Sequence, residues 1–107
     1  MNSKRRGSLM AELEPRAEDA SRLLAAMANP KRLMVLCNLL DGEKSVGALA
    51  EFVGLSPAAM SQHLSKMRAL RLVETRRAAQ TIHYRLASSE VKGILLTLHR
   101  LYCAPRK

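Results

Sequence analysis

The sequence predicts a mainly α-helical domain with one small β-hairpin, in the order ααααββα. Two observations lead there. Apolar residues recur at helical spacing in four stretches, three of them opened by a capping residue and two closed by glycine. After Leu70 the period changes to strand-like alternation, and it returns to helical from Ser88 onward. At 107 residues the chain suits one domain, here 16–107, with residues 1–15 as a mobile arm ending near Pro15. A chain this size buries only about 60–70% of its unfolded surface, so a homodimer would cover apolar area that a single copy leaves in water.

The elements follow in order. Ala20, Leu23, Leu24 and Met27 place a first helix over 16–28. In "ANPKR" Asn29 is the N-cap and Pro30 takes the first helical position, where a missing N–H costs nothing. The helix that follows is apolar nearly all round, and Leu33, Leu36, Cys37 and Leu40 read as a core stripe. Gly42 in "DGEKS" reads as its left-handed stop. Ser45 caps the next helix, whose stripe Val46, Leu49, Ala50 and Val53 ends at Gly54. Ser56-Pro57 opens a fourth helix to about Leu70. Met60, Leu64 and Met67 point inward there, and Ser61, Gln62, Ser65, Lys66 and Arg68 point out.

"LVETRR" and "TIHYRL" read as two strands, with Ile82, Tyr84 and Leu86 on one face and Thr81, His83 and Arg85 on the other. Ala78-Ala79-Gln80 lacks the Asn-Gly or Asp-Gly of a tight hairpin, so a longer, more mobile tip is expected. Ser88 or Ser89 caps a last helix with a broad stripe of Val91, Ile94, Leu95, Leu98, Leu101 and Tyr102. That stripe is wider than one small core needs. It predicts a dimer seam, shared with the first helix.

The formal net charge of +9 points to a polyanionic partner or a membrane surface. Between Ser56 and Ser88 the basic residues Lys66, Arg68, Arg71, Arg76, Arg77 and Arg85 meet Glu74 alone, while the other acids cluster elsewhere. No run approaches the ~18 apolar residues of a membrane span. The N-terminal segment turns acidic where a signal peptide needs an apolar stretch, so a cytoplasmic protein with reduced thiols and no membrane partner is expected. No catalytic loop, motif-placed base or glycine-rich cradle is present, so no enzyme and no cofactor are expected. Phe52, Tyr84 and Tyr102 are the only aromatic residues and form no stacking platform for single strands or RNA.

A short helix, a glycine turn, a polar-faced helix and a basic hairpin make a winged helix. The second helix of such a pair enters the major groove of double-stranded DNA with its N-terminal side chains on base edges. Here those are Ser56, Ala58, Ala59, Ser61, Gln62 and His63; Gln62 can pair with adenine in bidentate fashion, and the alanines admit a thymine methyl. Lys66, Arg68 and Arg71 suit the backbone, and Arg76, Arg77 and Gln80 on the wing suit phosphates or the minor groove. Each of these side chains could equally be part of a solvated face.

Three segments, "MANPKRLMVLCNLL", "SVGALAEFVGLSPAAMSQHLSKMRALRLVETRR" and "TIHYRLASSEV", resemble the ArsR/SmtB family of bacterial repressors over roughly residues 20–103. The S-x-H-L kernel at Ser61–Leu64 and the L-V-x-x-R-R entry to the wing carry the likeness. It implies a winged-helix homodimer on an inverted-repeat operator, released by a small effector. The family's metal sites depart from this chain. The helix before the recognition helix has no cysteine, Ser88 and Glu90 stand where one site type has an Asp-x-His pair, and His99 is followed by Tyr102 and Cys103. A soft metal-responsive site from Cys37, His99 and Cys103 stays open as an alternative.

Cys37 and Cys103 are the only cysteines. Their placement resembles the persulfide-sensing SqrR/BigR-type branch, and HlyU-like virulence regulators share the pair. The likeness implies a redox pair bridged within each protomer by reactive sulfur species, tying the last helix to the second and lowering DNA affinity. It leaves an HlyU-like activator or anti-repressor role open beside repression. Cys103 lies close in sequence to the basic residues His99, Arg100 and Arg106.

Overall fold

The computed structural model describes residues 3–103, with side chains from Ser8 onward. Helix α1 spans Ser3–Leu13, and a 3-10 turn at Glu14–Arg16 leads into α2, Ala17–Met27. Helix α3 spans Pro30–Asn38 and runs into a 3-10 turn at Leu39–Asp41. Strand β1 is Lys44–Ser45, α4 is Val46–Val53 and α5 is Pro57–Ala69. Strands β2, Val73–Ala78, and β3, Thr81–Leu86, precede the last helix, α6, Ser89–Tyr102. The expected ααααββα order is present as α2 to α6, with α1 and β1 in addition.

The capping chemistry accounts for most boundaries. Asn29 accepts from the N–H groups of Lys31 and Arg32 at 2.9 and 3.0 Å, and Pro30 occupies the first turn of α3. Ser45, Ser56 and Ser88 accept from Ala48, Ala59 and Val91, each at 3.1 Å. Gly54 takes the left-handed conformation at φ 73°, and Leu55 N–H closes on the Ala50 carbonyl at 2.9 Å. The tight α4–α5 turn follows from that single residue. Two cations of "NPKR" close helix ends: Arg32 Nε donates to the Ala26 carbonyl at 2.7 Å, and Lys31 Nζ to that of Val53 at 2.6 Å. Both satisfy carbonyls that helix ends leave orphaned.

The core is one cluster. Val35, Leu36, Leu49, Met60, Leu64, Met67, Leu72, Val73, Val91 and Leu95 are fully buried, drawn from α3, α4, α5, β2 with its approach, and α6. The three strands pair antiparallel in the order β1-β3-β2. Val73 lies opposite Leu86 and Arg76 opposite His83, while Ser45 flanks His83 on the other side.

Three expectations change. The arm expected over 1–15 is helical from Ser3 to Leu13, and Met1 and Asn2 lie outside the described residues. Leu9, Met10, Ala11 and Leu13 favour helix locally, and Pro15 falls in a 3-10 turn that reorients the chain. Gly42 has φ 133° and ψ −174°, an extended mirror region open essentially to glycine, rather than the left-handed helical one. The wing tip is a two-residue turn, not a longer loop: Ala78 pairs with Thr81, and Ala79 pays for this with φ 57°. A pairing register fixed by Tyr84 and Leu86 on the core overrides the turn preference of the residues at the tip.

Helix α5 ends in a Schellman motif whose left-handed residue is Arg71, at φ 63°. Leu72 N–H reaches the Met67 carbonyl and Arg71 N–H that of Arg68, both at 2.9 Å. A side chain there costs about 1–2 kcal/mol, and glycine's extra freedom in the unfolded chain returns about 0.5–1 kcal/mol of that. Arg71→Gly should therefore raise stability by about 0.5–1 kcal/mol, read as a higher urea midpoint with an unchanged slope.

Candidate functional site

Three features stand apart from the core: the outer face of α5, the β2–β3 wing, and the two thiols. Helix α5 is pinned by Met60, Leu64 and Met67, all fully buried. That leaves Ala58, Ser61, Gln62 and Ser65 as an exposed stripe on the other side, flanked by exposed Lys66 and Arg68. Ser56 is exposed at its start. Ala59 and His63 are half-buried, turned toward the body of the domain. The stripe is narrow, small and polar at its N-terminal end, a shape that admits the edge of a base pair.

The wing is less free than its sequence suggests. Arg76 Nε donates to both carboxylate oxygens of Glu43 at 3.0 Å, and its Nη2 to Oε1 at 2.7 Å. Arg85 Nε donates to Glu74 at 2.6 Å, with its Nη1 3.9 Å from Glu43. Two of the six cations between Ser56 and Ser88 are thus already paired. Hydrogen bonding from Arg76 holds the Glu43 carboxyl below its usual range against a smaller opposing effect of desolvation, with the charges of Arg76, His83 and Arg85 assisting. Arg76 and Arg77 are successive strand residues and project to opposite faces. Arg77 and Gln80 are exposed, and among the described residues Arg77 has no ion pair. Glu43 was missed because β1, which brings it beside β3, is only two residues long. No strand of that length leaves a periodic signal.

Both cysteines are free and exposed. Cys37 corrects the expected core stripe: α3 turns Val35, Leu36 and the following Leu39 fully inward, leaves Leu33 and Leu40 half-buried, and carries Cys37 on its outer side. Cys103 is the C-cap of α6, its N–H bonded to the His99 carbonyl at 2.8 Å. Partial burial pushes the Cys37 thiol up, and the negative charge of a Cys103 thiolate adds to that. Arg106 lies outside the described residues. Among those described, no three His, Cys, Asp or Glu side chains are grouped to hold a metal ion, so Cys37, His99 and Cys103 are not assembled as such a set.

The last helix leaves much of its apolar stripe uncovered. Val91 and Leu95 are buried and Ile94 and Leu98 half-buried, but Leu96 is 49%, Leu101 68% and Tyr102 82% exposed. Leu24 of α2 and Leu9, Met10 and Leu13 of α1 are also exposed. No single helix is long and apolar enough to cross a membrane.

The description "bacterial regulatory protein, arsR family" matches residues 29–75, from the cap of α3 into β2. The transcriptional activator HlyU of Vibrio cholerae is 51% identical over 94 residues, covering 88% of this chain and 87% of HlyU. The chain belongs to the ArsR family. The solved structure of reduced HlyU from the same organism superposes with a TM-score of 0.82 at 52% identity, covering 87% of this chain and 98% of that one. The transcriptional repressor BigR of Xylella fastidiosa gives a TM-score of 0.82 at 36% identity, covering 89% and 97%. The ArsR-family chain is thus a DNA-binding transcriptional regulator with a winged helix-turn-helix fold, in which α4 and α5 are the helix pair and β2–β3 the wing.

Exposure of both thiols has a direct chemical consequence. Iodoacetamide should label Cys37 and Cys103 in the native, reduced protein without denaturant. The rate at Cys37 should rise with pH along a curve displaced above that of a free thiol peptide, because only the thiolate reacts.

Proposed function

We propose that the chain is a homodimeric repressor of an inverted-repeat operator, and that its affinity falls when reactive sulfur species bridge Cys37 and Cys103. The observation that carries this reading is the pair of free, exposed thiols, remote in sequence, one on α3 and one at the C-cap of α6. Two reachable nucleophiles are what a reversible bridge needs.

The chemistry balances without an outside oxidant. One thiolate attacks the central sulfur of an organic trisulfide and displaces a thiolate, leaving a mixed trisulfide on the protein. The second cysteine attacks the same sulfur and displaces the second thiolate. Two cysteine thiols and one trisulfide thus become a bridge with one extra sulfur and two small thiols; longer polysulfides leave more sulfur behind. A plain disulfide needs Cα atoms within roughly 4.4–6.8 Å, and each added sulfur widens that range.

DNA is read by the exposed stripe of α5. Gln62 reaches a base edge, with Ser56, Ala58 and Ser61 beside it, and Ala59 and His63 at the inner margin of the stripe. Lys66, Arg68 and Arg71 hold phosphates, and Arg77 and Gln80 at the wing, with Arg76 once released, hold the flanking backbone. The uncovered residues of α6, with Leu24 of α2, form the seam between protomers. A bridge from Cys103 to α3 pulls on that seam, and the two α5 helices lose the spacing of about 34 Å at which they meet successive major grooves.

A second reading keeps the DNA contact and makes the chain an activator or anti-repressor with a redox-sensitive thiol pair. The 51% identity to a transcriptional activator favours it. Transcription from the bound promoter, with and without the protein, separates the two.

Three outcomes test the lead reading. Cys37→Ser and Cys103→Ser should each bind the operator as the wild type does and fail to release on polysulfide addition, measured by fluorescence anisotropy; release in both variants overturns the switch. For a dimer making six to ten phosphate contacts, affinity should fall about 10³–10⁵-fold between about 50 and 200 mM salt. Gln62→Ala should cost about 1–3 kcal/mol on the operator and little on unrelated duplex.

A further inference from the structure

Glu43 stands just ahead of β1, and its carboxylate takes up the guanidinium of the wing residue Arg76 through three contacts of 2.7–3.0 Å. The ion pair is open to water, with side-chain exposures of 51% for Arg76 and 27% for Glu43. Arg85, the other cation within reach of Glu43, is committed to Glu74 at 2.6 Å. His83 lies opposite Arg76 in the strand register. Glu43, Glu74, Arg76 and Arg85 therefore form a patch of balanced charge on a chain that is otherwise strongly basic.

We propose that Glu43 competes with DNA phosphate for Arg76 and thereby sets how tightly the wing grips a duplex. This rests on the reading above in which the wing meets the DNA backbone. A carboxylate and a phosphodiester present the same planar fork of guanidinium N–H donors with equivalent acceptors, so one can replace the other without rebuilding the strand. An exposed ion pair adds little to the fold, so giving up Glu43 leaves the domain intact. Entering the pair, a phosphate also releases condensed counterions, which tips the exchange toward DNA as salt falls. Glu43 itself would then face the polyanion as a like charge. Its effect is on backbone contact and is the same for any base sequence.

The test compares wild type, Glu43→Gln, Arg76→Gln and the double variant on one duplex of arbitrary sequence, by anisotropy across a salt series. Glu43→Gln should bind about threefold to tenfold tighter at low salt, with the slope of log affinity against log salt steeper by about 0.9 per wing. The double variant should match Arg76→Gln alone. Glu43→Ala, as a second substitution, should act in the same direction. Equal or weaker binding by both Glu43 variants, with melting unchanged, overturns the inference. So does a gain that survives in the double variant, since it would then come from the general loss of negative charge. Wild type that fails to bind duplex DNA at low salt overturns the DNA-contact reading itself, and this inference with it.

Discussion

Burial of Met60, Leu64 and Met67 is the constraint on which the rest of the molecule depends. All three are fully buried, and they pack in one cluster with Val35 and Leu36 of α3 and Leu49 of α4. A helix held by three inward side chains along its length cannot roll, so the opposite stripe is fixed in direction as firmly as the core is packed. Losing any of the three would leave a cavity and cost about 2–5 kcal/mol, a large fraction of the stability of a domain this size. The polar face of α5 is small and chemically mild; its usefulness lies in being presented at a set angle. Gly54 and the Leu55–Ala50 closure supply the other half of that angle by turning α4 into α5 over three residues.

Electrostatics divides the basic surface into two kinds of cation. Lys66, Arg68 and Arg77 are exposed and carry no ion pair among the described residues, so their charge is available to a polyanion. Lys31 and Arg32 are spent on the carbonyls that close α4 and α2, and Arg76 and Arg85 on Glu43 and Glu74. Net charge therefore overstates the field at the binding face, and only the placement of each partner shows by how much.

The thiols illustrate a conflict between packing and reactivity. A cysteine inside the cluster would behave as a small hydrophobe, inert to a soluble electrophile. Cys37 sits one position beyond the buried pair Val35–Leu36, and so is attached to the centre of the domain while remaining reachable. Cys103 caps the helix whose final turn, with Leu101 and Tyr102, is the most exposed apolar segment of the fold. One thiol thus stands on a helix that feeds the core, and the other at the end of a helix whose last turn is uncovered.

The chain's own pattern determined the local features. Asn29-Pro30, Ser45, Ser56-Pro57 and Ser88 are caps in the structure because a side-chain oxygen and a missing N–H act within a few residues and need no partner from elsewhere. The inward set on α5 and the two wing strands were legible for the same reason: their periods are 3.6 and 2, and each is long enough to show one. Tertiary structure alone decided the tight turn at Ala79, the pairing of Glu43 with Arg76 and the outward side of Cys37. Each depends on contacts between segments far apart in sequence, where the energy comes from burial and charge in three dimensions and leaves no periodic trace in one.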